Sequence, residues 1–194
     1  MTLPAMECIP PHVLLGAYTE GVFPMAEEGE IHWFSPLMRG VMPIDDRFHV
    51  PRGLKKSLRK KAFDIRMNTA FPEVIRACAN RKETWIDEAV MASYTELYKL
   101  NYAHSVECWD DEGLQGGLYG VAIGTAFFGE SMFSRKTDAS KIALVHLVDW
   151  MRGNDFTLLD TQWMTDHLRQ FGGIEIPRED YLKLLEDALA LEDE

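Results

Sequence analysis

The chain has 194 residues, 46% of them hydrophobic and 26% charged, a balance that fits a folded chain with one good core and room for a small appendage. A formal net charge of −11 argues against general nucleic-acid binding, because phosphate repels an acidic surface. No apolar run approaches the roughly 20 residues that span a bilayer, and Met1 to Glu7 lack the basic-then-apolar order of a secretory leader, so no membrane contact and a cytoplasmic location are expected.

In the first segment, Val13, Leu14, Ala17 and Tyr18 put one apolar face on a short helix over Pro11 to Glu20, ended by Gly21. Phe23-Pro24 opens an extended stretch, since the residue before proline avoids helical angles, and Trp33-Phe34-Ser35-Pro36 is another. Residues 1–38 are therefore expected to form a small N-terminal unit and residues 39–194 the main domain. There, a strand over Gly40 to Ile44 precedes a basic helix from Pro51 to Lys61. Alternation of Phe63, Ile65 and Met67 with polar neighbours predicts a strand over 63–68. Helices follow over Ala70 to Ala79 and Ile86 to Leu100.

Strands His104–Trp109 and Leu114–Ile123 flank the turn Asp110-Asp111-Glu112-Gly113. A third strand covers Ala126 to Phe133. A helix from Ala139 to Arg152 is expected to be capped by Asp138 or Thr137. A strand over Phe156 to Asp160, a short helix capped by Thr165 and stopped at Gly172-Gly173, a strand over Ile174 to Ile176 and a helix from Pro177 to about Leu191 complete the chain. The predicted class is mixed α/β or α+β, a sheet flanked by helices, and with the resemblance named below it is taken as α+β.

Three cysteines, Cys8, Cys78 and Cys108, stand far apart without Cys-x-x-Cys spacing and read as reduced thiols. The six histidines form no ligand-spaced pair, so no metal is predicted. Gly116, Gly117 and Gly120 inside a strand imply a bulge or a close approach of backbone or ligand. Glu130 lies in an apolar, aromatic strand, where a carboxylate is costly unless paired; it reads either as a partner for Arg135 or Lys141 or as a carboxylate facing a cleft. Asp160 and Gln162, two apart in an extended run, fall on one side, as a strand-end turn or as a polar pair that orients a reacting group. The run Arg52, Lys55, Lys56, Arg59, Lys60, Lys61 is either a solvated helix or a local binding surface. No Gly-x-Ser-x-Gly elbow surrounds Ser131, Ser134 or Ser140.

These stretches together resemble the leucyl/phenylalanyl-tRNA–protein transferases. The segments concerned are Phe23-Pro24-Met25, Trp33 to Pro36, Phe48-His49-Val50, Thr84-Trp85-Ile86, Ala103 to Glu107, Gly116 to Gly120, Phe128 to Phe133, Asp138 to Lys141, Asp160-Thr161-Gln162 and Glu175 to Arg178, from about Leu14 to Leu185. Met25 stands where some members carry Trp. The resemblance implies an acetyltransferase-like, GNAT-related main domain after a small N-terminal domain. It implies transfer of Leu or Phe, less well Met, from aminoacyl-tRNA to proteins beginning with Arg or Lys, as a mark for N-degron degradation, by a monomer without a cofactor.

The resemblance also assigns residues. Asp160, Gln162 and Glu130 would form the polar centre, with Asp160 orienting Gln162 and both carboxylates drawing a basic acceptor. Leu118, Phe127, Met132, Leu147 and Met151 would line an aminoacyl pocket, Met adapting it to both side chains. Trp85, helped by Trp33, would stack on the terminal adenine. Arg52, Lys55, Lys56, Arg59, Lys60 and Lys61 would meet tRNA phosphates. Asp160→Ala is expected to lose transfer and keep the fold. Two other readings compete. An acetyl-CoA-dependent acetyltransferase would need a pyrophosphate loop before the helix at Ala139, where Ser134-Arg135-Lys136-Thr137 stands instead. A non-catalytic binder of basic N-termini would need neither Trp85 nor the basic helix.

Overall fold

A computed structural model describes residues 8–190. Helix α1 (Pro11–Thr19) starts on a proline, whose missing N–H is an orphan there anyway. It buries Leu14 and Tyr18, four residues apart, and gives way to Gly21 at φ 72°. Strands β1 (Phe23–Glu27) and β2 (Glu30–Phe34) form a separate antiparallel hairpin. Then come β3 (Met38–Met42), α2 (Arg52–Arg59), β4 (Asp64–Met67), α3 (Phe71–Ala79) and α4 (Glu88–Lys99). The rest runs β5 (Ala103–Asp110), β6 (Gly113–Ile123), β7 (Ala126–Ser134), α5 (Ala139–Gly153), β8 (Leu158–Gln162), α6 (Asp166–Arg169), β9 (Ile174–Pro177) and α7 (Arg178–Ala190).

The main sheet has the order β4-β5-β6-β7-β8-β3-β9. Every neighbouring pair is antiparallel except β7 and β8, which run parallel. One face carries a core that takes Leu14 and Tyr18 of α1, Phe71 and Val74 of α3, Val90 and Tyr94 of α4, and Tyr181 and Leu185 of α7. The opposite core is dominated by α5, with Leu54 of α2 and Leu168 of α6. The N-terminal segment thus buries its large side chains in the same core as the sheet.

Three register shifts interrupt the pairing; the one between β5 and β6 passes from Cys108↔Gly116 to Trp109↔Leu114 and leaves Gln115 extra. Between β6 and β7 the register passes from Tyr119↔Ser131 to Gly120↔Gly129, which leaves Glu130 as the extra residue. The cores record the phase shift: Phe128 and Phe133, five apart, pack on one face, while Phe127 and Met132 pack on the other. An unbroken strand would put residues five apart on opposite faces. Between β3 and β8 the register passes from Gly40↔Gln162 to Val41↔Asp160, with Thr161 extra. The glycines of β6 answer to close approach as well as to a bulge. A Cβ on Gly116 would lie 2.4 Å from the Ala139 Cβ, where α5 crosses the strand.

The predicted elements are present, with shifts at their ends that reflect local capping. Thr165 caps α6 as expected, accepting from Leu168 N at 3.3 Å. Asp138 does not cap α5 through its side chain. Ser134 Oγ meets the Ser140 N–H at 3.3 Å, while the Asp138 carboxylate accepts from Ser57 Oγ at 2.7 Å and so ties α5 to α2. Pro177 ends β9 and α7 begins one residue later; Leu191, the expected helix end, lies outside the described residues. Cys78 and Cys108 are buried free thiols, pushed up to about 12 by that burial. Among the described residues no helix is long and apolar enough to cross a membrane, and no cluster of three or more His, Cys, Asp or Glu has metal-holding geometry.

Candidate active site at a parting of parallel strands

The parallel pair β7–β8 is short. It runs only over Ala126–Phe128 and Leu158–Asp160. Beyond it the strands part, and a cavity of about 460 Å³ opens there, walled by Gly129 to Ser134 on one side and by Thr161 to Trp163 on the other. Ligands of open α/β sheets characteristically settle where neighbouring strands separate at their carboxyl ends. The cavity has two kinds of wall. Leu118, Met132, Leu144, Leu147 and Leu159, all belonging to the α5-side core, make an apolar recess. Met25, Arg81, Trp85, Tyr119 and Glu130 approach from the opposite face.

Glu130 is 9% exposed. It pairs with neither Arg135, whose Nη1 donates to Leu114 O, nor Lys141, which faces Asp138. Its carboxylate instead collects three neutral donors: Tyr18 Oη at 2.5 Å, Tyr94 Oη at 3.1 Å and Gln162 Nε2 at 3.0 Å. Burial pushes the Glu130 carboxyl up to about 7, against the pull of those hydrogen bonds. The bulge sets this up, turning a side chain in an apolar strand toward two tyrosines that helices α1 and α4 supply.

Asp160 is wholly buried and lies off the cavity wall. Arg39, 1% exposed, grips it with a two-point fork, Nε to Oδ1 at 2.9 Å and Nη2 to Oδ2 at 2.6 Å. Tyr181 Oη donates to Oδ2 at 2.8 Å, and Arg39 Nη1 donates to Gly21 O. The guanidinium also lies over the rings of Phe23 and Tyr181. Asp160 therefore reaches Gln162 through the backbone: its Oδ1 accepts the Gln162 N–H at 2.7 Å. The Gln162 side-chain amide is held by Glu130. Gln162 has φ 63°, in the left-handed region, so the extended spacing expected for 160–162 is broken there. Such a conformation costs on the order of 1–3 kcal/mol in a non-glycine residue and persists where surrounding bonds hold it.

Two expectations change on this geometry. With Arg39 neutralising it, Asp160 is closed to an incoming cation, which leaves Glu130 as the carboxylate on the wall. Asp160→Ala would strand a buried guanidinium, so an intact fold is no longer expected of that variant.

The structure places the remaining predicted residues as follows. Leu118, Met132 and Leu147 line the recess, but Phe127 and Met151 do not reach it; both are wholly buried in the α5-side core. Trp85 stands on the wall. Trp33 does not: it is 42% exposed on β2, opposite Pro24. Trp163, not singled out from the sequence, does line the cavity and meets Phe23 edge-on at 5.0 Å. Arg52, Lys55, Lys56, Arg59, Lys60 and Lys61 are all exposed on or just after α2, which packs through Leu54. They lie apart from the cavity wall, and α2 is tied to the residue before α5 by the Ser57–Asp138 bond. Sequence reasoning missed Arg39, although a lone cation within Leu37-Met38-Arg39-Gly40-Val41-Met42 is a usable signal. Tyr18 and Tyr94 gave none, since each also fits an apolar helix face.

A family model described as leucyl/phenylalanyl-tRNA protein transferase matches residues 41–186, and one described as the N-terminal domain of the same proteins matches residues 8–37. A curated leucyl/phenylalanyl-tRNA–protein transferase of Akkermansia muciniphila is 58% identical over 184 residues, 92% of this chain and 95% of its own length. That of Paramagnetospirillum magneticum is 55% identical over 185 residues, 92% of this chain and 88% of its own length. Among solved structures, L-PGS from Bacillus licheniformis superposes with a TM-score of 0.49 at 10% identity, over 92% of this chain and 76% of that chain. The chain therefore belongs to the leucyl/phenylalanyl-tRNA–protein transferase family and is a transferase.

Proposed function

We propose that this enzyme takes Leu or Phe, and less well Met, from an aminoacyl-tRNA and joins it to the α-amine of proteins beginning with Arg or Lys, marking them for N-degron degradation. The observation that carries the reading is the two-sided cavity. Its apolar recess suits a large aliphatic or aromatic side chain, and its polar edge, Glu130 and Gln162, suits an amine. Ester to amide is downhill, so the reading needs no ATP or acyl carrier.

In this reading Gln162 positions the nucleophile. Its Nε2 is committed to Glu130, so its Oε1 is the atom left to accept from the attacking amine. The amine nitrogen adds to the ester carbonyl carbon, the bond to the 3′ oxygen breaks, and the amine's proton leaves on that oxygen or on water. An amide is too weak a base to take it. Glu130 fixes the amide and presents negative charge to a basic acceptor. Asp160 acts one step back, holding the Gln162 backbone. Trp85 offers a face for the terminal adenine.

The same reading carries a small N-terminal domain over residues 1–38 beside a catalytic domain over 39–194, supported by family models that meet between residues 37 and 41. It carries an acetyltransferase-like kinship of the main domain, supported by the mixed sheet with helices on both faces. It also carries action as a cytoplasmic monomer.

The direct test supplies purified protein with labelled leucyl-tRNA or phenylalanyl-tRNA and peptides beginning with Arg, Lys, Asp or Ala. Label is expected on the Arg and Lys peptides. Equal label on all four, or on none, would sink the reading. The exposed cations around α2 are assigned to tRNA phosphates. Neutralising Lys55, Lys56, Lys60 and Lys61 together should raise the donor's KM and flatten its dependence on salt, each lost contact removing about 0.7–0.9 from the log–log slope. An unchanged slope removes that assignment.

A further inference from the structure

Among the described residues the cavity wall carries one carboxylate, Glu130, and one permanent cation, Arg81, and the two are not paired with each other. Arg81 lies on the irregular connection between α3 and α4, four residues before Trp85. Its Nη2 donates to Met132 O at 2.9 Å and to Ser131 Oγ at 3.1 Å, both on β7. Those bonds fix the plane of the guanidinium at the mouth of the cavity. Nε and Nη1 hold no partner among the described residues, and Arg81 makes no ion pair there. Several other arginines of this acidic chain are neutralised by a carboxylate, as Arg39, Arg47, Arg66, Arg152 and Arg169 are.

An anchored, permanently charged guanidinium whose Nη1 donors stay open suits a phosphate group, which it can meet by a charge-assisted hydrogen bond. We propose that Arg81 binds the phosphodiester joining the donor's last two nucleotides while the terminal base lies against Trp85. The inference rests on the reading of the donor as an aminoacyl-tRNA. It assigns the wall's two charges separately. The cation takes the one anionic group that lies next to the terminal adenosine, and the carboxylate serves the amines. The acceptor, basic at its first residue, is repelled by Arg81 and so belongs on the Glu130 side. This contact is distinct from the α2 cations, which lie off the cavity and would meet phosphates further along the RNA.

Two minimal donors separate the contributions: the leucyl ester of adenosine, which has no phosphate, and the leucyl ester of cytidylyl-adenosine, which has one. In the wild-type enzyme the second is expected to show a KM about tenfold lower than the first. Arg81→Gln should bring that ratio close to one, and Arg81→Lys should leave it in between, because the charge is kept on a flexible stem without the anchored plane. A neutral methylphosphonate linkage, tried on the unmodified enzyme, should abolish the tenfold advantage without any substitution. A ratio that stays at its wild-type value in Arg81→Gln, or an advantage that survives the methylphosphonate, overturns the proposal. So does a change in Arg81→Gln confined to the KM of the acceptor peptide, which would make Arg81 an acceptor contact. Wild-type enzyme that transfers from neither ester, nor from leucyl-tRNA, refutes the donor reading itself and takes this inference with it.

Discussion

Asp160→Ala is expected to lower folding stability by about 3–5 kcal/mol, the usual result of removing one partner from a buried ion pair. For a chain of this size, each kcal/mol moves the thermal midpoint by about 2–4 °C, so the melting curve should fall by about 6–20 °C. The physical cause is Arg39. The pair is 0–1% exposed, so a guanidinium without its carboxylate keeps its charge in a place water cannot reach. Arg39→Ala should cost a similar amount for the mirror reason, with Tyr181 Oη and the Gln162 N–H losing a well-fixed acceptor as the carboxylate relaxes. The double variant Arg39→Met/Asp160→Leu removes both charges and refills the volume. It should recover most of the loss in stability, since apolar replacement of a buried pair is often near neutral. It should not recover transfer, because the Gln162 backbone stays without its anchor. A double variant that melts as low as Asp160→Ala, or single variants that melt like wild type, would remove the pair from its structural role.

Glu130 predicts a pH effect of the opposite sign to that of a salt-bridged carboxylate. Its pKa is raised from 4.5 to about 7 by burial, so the folded protein holds a proton that the unfolded chain has released. Stability from this group is fully present below about 4.5 and is lost as pH rises through about 7. The shift corresponds to about 3 kcal/mol across that window. Glu130→Gln cannot ionise. Its amide oxygen can still accept from Tyr18 or from Gln162, so the variant should fold, and its stability should be flatter between pH 5 and 8 than that of wild type. At pH 8 it should be at least as stable as wild type. Activity should move the other way. In the proposed mechanism the ionised carboxylate holds Gln162 and draws a basic acceptor, so wild-type transfer should rise through about pH 7. Glu130→Gln should be slower by about 100-fold, the scale of losing a well-placed polar group. It should keep only the rise due to the acceptor's own α-amine, near pH 8. Parallel pH profiles for the two proteins, in melting and in rate, would mean that Glu130 does not titrate in this window.

The order of elements is written in local patterns. Period-two alternation at Phe63, Ile65 and Met67, the hairpin turn before Gly113, the Thr165 cap and the glycines that stop helices all act over a few residues. A few residues are enough to read them. The candidate carboxylates were legible for a similar reason, since Glu130 and Asp160 are charges in apolar runs and such charges must be answered. Which groups answer them was not legible. Arg39 meets Asp160 across 121 positions of sequence, and Tyr18 meets Glu130 across 112. Those pairings depend on how β3 lies against β8 and on where α1 docks, and no window of neighbouring residues contains either fact.

The bulges are the clearest instance. Sequence alternation would carry Ser131 onto the face that Phe127 begins, yet the extra residue at Glu130 gives that place to Met132. The same slip puts Met132 on the recess, whereas Phe127, ahead of the bulge, is sealed in the core. By itself the sequence determined the elements, a mixed sheet flanked by helices and the side chains able to do chemistry, because each depends on composition and short-range spacing. Only the tertiary structure decided which of those side chains share a cavity, because register between distant strands is set by packing energies that involve the whole sheet.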